Sequence, residues 1–421
     1  MSRHTLVAIF LTFVGLISCD PPADSHRTVA FVGATVWDGT GEPARLADIL
    51  VVDGRVVEVG RPSIPRDATV LDYSGMWIIP GLVEAHAHVS GYWASDQISD
   101  PMARVVEELG LYARYGVTTV SSLGDEPPVA RQVRDEQDTQ TLERARLTYA
   151  GPVITASTPE EARAAVAQNA AAGVDWMKIR VDDNLGTTTK MPWETVQAVL
   201  DATHERGMRL ATHLFYLEDA KRLLRMGTDL VAHSIRDAAV DEEVMGLFMQ
   251  TGTCYVPTLT REVSAFVYGH RPEFFDDPFF LEGAMENEVE RVSDPGFMRG
   301  MRESAAAARY REGLGQAQRN LRDLSEAGVA IAFGTDAGPP GRFPGYFQHL
   351  ELELMVEAGV TPEEALTSAT RVAASCLDMS DVGTLEPGRW ADLLVLGSNP
   401  LEDITATKTL EKVFVAGNEV R

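Results

Sequence analysis

Ile78-Ile79-Pro80-Gly81-Leu82-Val83-Glu84-Ala85-His86-Ala87-His88 leads from an apolar run into two histidines one residue apart. On a β-strand, residues i and i+2 point to the same face, so both imidazoles project from one side of one strand and can share one metal ion. Later apolar runs end in further ligand-type residues. Asp175-Trp176-Met177-Lys178-Ile179-Arg180 carries a lysine. Arg209-Leu210-Ala211-Thr212-His213 and Leu230-Val231-Ala232-His233 each carry a histidine. Ile331-Ala332-Phe333-Gly334-Thr335-Asp336 ends in an aspartate. The order His-x-His, Lys, His, His, Asp, each at or near a strand end, sets the expectation for fold and chemistry together.

Around these runs the pattern is strand then helix, eight times over, with strands ending near His88, Leu123, Val153, Arg180, His213, His233, Leu259 and Asp336. Helix starts are explicit. Thr158-Pro159-Glu160-Glu161 and Thr361-Pro362-Glu363-Glu364 each offer an N-cap threonine, a proline at the first helical position and acids in the first turn. Strands alternating with helices imply a parallel sheet, and eight of them imply an α/β fold of the (β/α)8 TIM-barrel kind. In such barrels the active site lies at the C-terminal strand ends, where most of the ligand-type residues fall.

The chain ends read differently. From Thr28 to Val59 short β-branched strands are separated by Gly39-Thr40-Gly41 and by Asp53-Gly54, the latter a hairpin signal. The C-terminal stretch has the same character, with Ala391-Asp392-Leu393-Leu394-Val395-Leu396 and Val413-Phe414-Val415. Neither end has enough apolar strand for a core of its own, so one small β-sandwich from 28–79 and 380–421 is expected beside a barrel at 80–379. The segment 261–311, rich in aromatics and acids, separates the seventh strand from its helix and reads as a lid over the barrel mouth or as a helical excursion on its side.

The chain has 421 residues and a formal net charge of −25, with no Lys/Arg block, which argues against nucleic-acid partners; the expected partner is a small-molecule substrate. At the N-terminus, Arg3 and His4 precede an apolar run from Leu6 to Ile17 that is too short to cross a bilayer but suits a signal-peptide core. Its end, Leu16-Ile17-Ser18-Cys19, resembles a bacterial lipoprotein signal. That implies a signal peptide at 1–18, a lipidated Cys19 opening a linker at 19–27, and attachment to the cell envelope on the periplasmic or extracellular face. Cys254 and Cys376 read as two buried free thiols, with no disulfide framework implied.

At this point the residues resemble a family. Pro80 to His88, Phe333-Gly334-Thr335-Asp336-Ala337-Gly338 and Gly383-Thr384-Leu385-Glu386-Pro387-Gly388-Arg389-Trp390-Ala391-Asp392-Leu393 look like the first-strand, eighth-strand and return motifs of the amidohydrolase superfamily. The branch is the one with two metals bridged by a carboxylated lysine, in its imidazolonepropionase-like and Xaa-Pro-dipeptidase-like members. The resemblance implies that His86, His88 and Asp336 bind a buried divalent ion and that His213 and His233 bind a more exposed one; the ligand types suit Zn²⁺, with Mn²⁺, Fe²⁺ or Co²⁺ as alternatives. Lys178, as a CO2-derived carbamate, would bridge them. It also implies hydrolysis of a C–N bond in an amide, cyclic amide or N-acyl amino acid by a hydroxide bridging the metals, with Asp336 shuttling the proton.

Xaa-Pro or other dipeptidase or carboxypeptidase activity is the alternative. Dipeptidase relatives often carry a Gly-Gly-His loop after the third strand, where this chain reads Gly151-Pro152-Val153-Ile154. Single-metal deamination is disfavoured, because the glutamate expected three residues after His213 is Tyr216. An inactive binding lipoprotein would not need the complete ligand set. Arg180, Arg236 and Arg261 fall just past strand ends, and Arg180 and Arg236 are the candidates for gripping a substrate carboxylate. The other histidines, His4, His26, His204, His270 and His349, read as surface or supporting groups.

Overall fold

The computed structural model describes residues 26–421, so the signal segment and Cys19 lie outside the described residues. The chain opens with five strands: β1 (Thr28–Val36), β2 (Arg45–Val52), β3 (Arg55–Gly60), β4 (Thr69–Asp72) and β5 (Trp77–Pro80). Seven more alternate with helices: β6 (Leu82–Ala87), β7 (Val117–Ser122), β8 (Arg146–Tyr149), β9 (Trp176–Arg180), β10 (Arg209–His213), β11 (Leu230–Ala232) and β12 (Cys254–Val256). The last three, β13 (Leu393–Leu396), β14 (Leu410–Val415) and β15 (Asn418–Glu419), follow the helices.

Both chain ends build one eight-stranded sheet, ordered β15-β14-β13-β5-β1-β2-β3, with β4 pairing with β1. Its apolar faces bury Phe31, Ile49, Val51, Leu393, Val395 and Phe414 in a cluster separate from the larger core. The β2–β3 hairpin turns at Asp53-Gly54, both with positive φ (50° and 79°), as the Asp-Gly pair predicts.

The strands from β6 to β12 pair in parallel as two sheets, β6-β7-β8 and β9-β10-β11-β12. The stretch expected as an eighth strand is not a regular one. Ile331 makes a single parallel bridge to Tyr255 on β12. Ala332 N donates to Tyr255 O at 2.9 Å, and Ala85 N on β6 donates to Phe333 O at 2.8 Å. The ladder is replaced because neighbouring groups take its amides. Phe333 N donates to Ser368 O at 3.3 Å and Thr335 N donates to Glu84 Oε1 at 2.9 Å. The third strand ends at Tyr149, not Val153, although Ile154 still bridges to Ile179 on β9. The seventh ends at Val256 because Pro257 has no amide hydrogen for a ladder. Leu259 instead opens a helix.

Both expected helix starts carry full capping boxes. Thr158 Oγ1 accepts from Glu161 N, and Thr361 Oγ1 accepts from Glu364 N. The segment 261–311 folds into short helices, among them Pro278–Leu281, Glu286–Ser293 and Pro295–Glu303. Its aromatic side chains are committed to the body. Phe280 packs edge-on against Phe343 and Tyr346, with centroids 4.9 and 5.2 Å apart, and Tyr115 Oη donates to Phe279 O at 2.8 Å.

The two cysteines correct the thiol expectation. Cys254 and Cys376 are buried but joined by a disulfide, with Cα atoms 6.1 Å apart across 122 residues of sequence. Burial of each was readable, but the packing of β12 against the helix Ala373–Cys376 was not. That packing brings the pair within disulfide span. A closed loop this long restricts the unfolded chain, with an entropic contribution of about 4–5 kcal/mol in the chain model. Replacing both cysteines by serine is expected to lower stability by about 2–5 kcal/mol, read as a lower urea midpoint.

Candidate metal centre

Six side chains predicted from sequence line one cavity of about 710 Å³: His86, His88, Lys178, His213, His233 and Asp336. The strand period places His86 on β6 with His88 just past its end; Lys178 lies mid-strand on β9, His213 ends β10 and His233 follows β11. Asp336 arrives from the irregular segment. His88 Nε2 lies 2.9 Å and His86 Nε2 3.5 Å from Asp336 Oδ1. Lys178 Nζ lies 3.2 Å from His86 Nε2, and His233 Nε2 4.0 Å from Asp336 Oδ2. The rings form a chain, with centroids 5.7 Å apart for His86–His88, 4.7 Å for His86–His233 and 4.2 Å for His233–His213.

The backbone at this rim adopts rare conformations. Asp125, His233, Thr258 and Asp336 all have φ between 48° and 75°. Left-handed non-glycine residues are held only where their surroundings over-determine them, and they cluster at functional sites. Gly338 (φ 111°) is required for a different reason, since a Cβ there would meet His88 O at 1.9 Å.

Second contacts orient the imidazoles. His88 Nδ1 donates to Gly124 O at 2.9 Å, which leaves Nε2 to face Asp336. His233 Nδ1 and Thr258 Oγ1 are 2.8 Å apart, which again leaves Nε2 facing inward. His213 is reversed, with Nε2 bonded to the Asp182 carboxylate and Nδ1 left over. Fixing one ring nitrogen to present the other is how proteins orient imidazole ligands.

Charge favours the ligand forms at every one of these groups except His88. Burial holds His86 and His233 well below the usual imidazole range and brings His213 down to about 3, so all three are neutral. Burial pulls His88 down too, but the Asp336 contact outweighs it and raises His88. Burial pushes Asp336 up, yet Arg342 and the histidines bring it well below the carboxylate range. Burial brings Lys178 down to about 7 against the pull of Asp336, so a neutral amine is accessible at ordinary pH. Metal ligation requires neutral imidazoles and an ionised carboxylate. His86, His88 and Asp336 bring one ligand atom each to within 4.8 Å of one another, a nitrogen–oxygen set suited to a divalent ion.

Sequence reading missed several supports. Glu84 is buried, and its two oxygens accept from His86 N, Thr335 N, Thr335 Oγ1 and Gln348 Nε2 at 2.8–2.9 Å. Burial pushes its carboxyl up to about 8, while those donors favour the anion. It ties β6 to the Asp336 segment. Glu126 accepts from Gly124 N at 2.8 Å and Gly151 N at 2.7 Å, which fixes the loops beside His88. Glu84 stands inside the first-strand motif and could have been noticed there. Asp182 and Thr258 carry no pattern of their own. Arg342 pairs with Asp336 from a loop that sequence leaves undefined.

Arg236 must be reassigned. Its side chain is fully buried, its Nε lies 3.2 Å from Glu262 and its guanidinium stacks on Phe215, away from the cavity. Its carbonyl contacts at Leu214 and Ser234 turn it inward under the rim. Arg180 and Arg261 do line the cavity, Arg261 pairing with Glu262 at 3.2 Å. Tyr216, at the deaminase glutamate position, donates to Asp183 at 2.7 Å. His349 is a buried support, bonded to Tyr115 O and Thr407 Oγ1.

This is an α/β protein with imidazoles, a lysine and a carboxylate gathered at strand ends around a candidate divalent-ion site. Residues 77–420 match the amidohydrolase family, and the chain belongs to it. It is a hydrolase acting on carbon–nitrogen bonds. Among similar proteins, an uncharacterized protein of Mycobacterium tuberculosis is 26% identical over 377 residues, covering 86% of this chain and 89% of its own. An imidazolonepropionase of Deinococcus radiodurans is 25% identical over 394 residues, covering 89% and 92%. The crystal structure of a putative prolidase from Bifidobacterium longum superposes with a TM-score of 0.73 at 29% identity, covering 93% of this chain and 94% of its own.

Proposed function

We propose that this protein is a two-metal amidohydrolase that cleaves the amide bond of an N-acyl amino acid or a related carboxylate-bearing substrate. His86, His88 and Asp336 would hold one divalent ion and His213 and His233 the other, with Lys178 contributing as a carbamate, and Zn²⁺ would suit the ligand set. The observation that supports this best is the convergence of all six side chains on one cavity. When bound, the ions supply Lewis acidity and lower the pKa of a water from 15.7 to about 7.

The chain's own residues do the rest. Asp336 accepts the proton of the attacking water and returns it to the leaving nitrogen. Arg180, exposed at the cavity wall, receives the substrate carboxylate. The buried rim around His86 and His233 limits competing water. The scaffold belongs to the same reading: the β6–β8 and β9–β12 sheets and the 331–335 segment form one eight-stranded barrel at 80–379. The strands at 28–79 and 380–421 fold as a sandwich beside it.

Dipeptidase or carboxypeptidase activity is the second reading, favoured by the prolidase likeness. A screen of N-acyl amino acids, dipeptides and cyclic amides with metal-loaded protein separates the two. Two bound metals with no cleavage of any C–N substrate would overturn both.

We further infer that the mature chain begins at a lipidated Cys19 in the cell envelope. The Cys254–Cys376 disulfide supports this, because such bonds persist in oxidising compartments. Cys19→Ala is expected to move the protein from membrane to soluble fractions with unchanged turnover. A native N-terminus elsewhere by mass spectrometry would defeat it.

A further inference from the structure

A second cavity, also about 710 Å³, adjoins the first and shares two of its residues, Thr155 and Arg180. Most of its other wall is the run 182–192 that follows β9. That run is fixed at several points. Asp182 pairs with His213, Tyr216 Oη donates to Asp183 at 2.7 Å, and Lys190 Nζ donates to Asp219 at 2.6 Å. Asn184 and Leu185 both sit in left-handed backbone, with φ of 47° and 57°. Consecutive non-glycine residues in that region persist only where their surroundings impose them, as at ligand-binding walls.

The ionisable groups of this wall already have hydrogen-bonding partners. Lys190 faces Asp219 and Asp182 faces His213, while Glu161 accepts from Ser157 N at 2.8 Å and Thr158 N at 3.3 Å. Towards a ligand the wall offers the exposed Thr155, Ser157, Thr188 and Thr189 hydroxyls and the Asn184 amide, alongside apolar surface such as Met191. Arg180 stands where the cavities meet. Its side chain is 52% exposed and lies 4.0 Å from Asp182, whereas Arg261 and Arg342 hold closer acids at the metal cavity.

We propose that Arg180 and this second chamber form the leaving-group subsite, selecting amino acids with a long, uncharged, hydrogen-bonding side chain. The inference rests on the hydrolytic reading above and names its substrate class. With the amide at the ligand cluster and the α-carboxylate on Arg180, the side chain enters the second chamber. A glutamine-like side chain can pair with the threonine and serine hydroxyls. A compact apolar ring such as proline offers those hydroxyls no hydrogen-bonding partner, so the chamber favours the glutamine-like side chain.

The test compares N-acetylglutamine with N-acetylproline, using metal-loaded wild type, Thr189→Trp, which fills the chamber, and Thr188→Val/Thr189→Val, which removes hydroxyls with little change of shape. Binding of free glutamine is measured in parallel by calorimetry. Wild type is expected to favour N-acetylglutamine by about tenfold or more in kcat/KM, with both variants losing that preference through KM. Arg180→Met should raise KM for both substrates by about 10- to 100-fold. Turnover without a preference, or a preference that both variants retain, overturns the subsite and leaves the hydrolytic reading standing. Glutamine binding that both variants weaken, with no turnover of these or of the screened dipeptides and cyclic amides, supports the subsite and overturns the hydrolytic reading. Absence of both turnover and binding ends both.

Discussion

Asp336→Asn is expected to lose nearly all turnover. An amide cannot take a proton from water at neutral pH, and removal of general acid–base help alone costs about 10²–10⁴-fold. The loss should exceed that range, because Asp336 also stands between the two halves of the site. Its Oδ1 lies 2.9 Å from His88 Nε2, and its Oδ2 pairs with Arg342 and lies 4.0 Å from His233 Nε2. An uncharged amide removes the anion that holds His88, Arg342 and a cation together. Rates compared at matched metal occupancy separate lost proton transfer from lost metal. Near-equal rates would remove Asp336 from the chemistry.

Lys178→Met is expected to halve bound metal and to remove most activity, with partial rescue by small carboxylic acids that can fill the bridging position. Lys178 is buried among the histidines, 3.2 Å from His86 Nε2, where an ammonium would repel a cation. Carbamate formation needs the neutral amine, and burial brings that amine to about 7. Below that value the lysine is protonated and does not react, and above it the neutral form dominates. Reconstitution of metal-free protein with divalent ion under a fixed pressure of CO2 should therefore quicken as pH rises through about 7. Full metal content in the methionine variant, or a pH-independent reconstitution, would set the bridging role aside.

Much of the site was legible because strand chemistry is local. The alternation of a strand puts His86 and His88 on one side, and an apolar run ending in His213 or His233 marks its own functional end. The same locality made the Asp53-Gly54 hairpin and the Thr158 and Thr361 caps readable, since each depends on residues within a turn of one another. Short motifs likewise pointed to the family that residues 77–420 match.

Tertiary structure alone decided what depends on distant partners. Arg180 and Arg236 look equivalent in sequence, each just past a strand. One faces the cavity, and the other is turned inward against Glu262 and Phe215. Cys254 and Cys376 each read as a buried thiol, and only the packing of a strand against a helix 122 residues away makes them a disulfide. Asp182 has no motif, yet the return of the chain after β9 brings it to His213. The segment before Asp336 looked like a regular strand, but Glu84 and Ser368 took its amides and gave it an irregular course. Local sequence sets which way a side chain leaves its own backbone, whereas charge pairing, cross-linking and hydrogen-bond competition are settled by whatever the folded chain places opposite it.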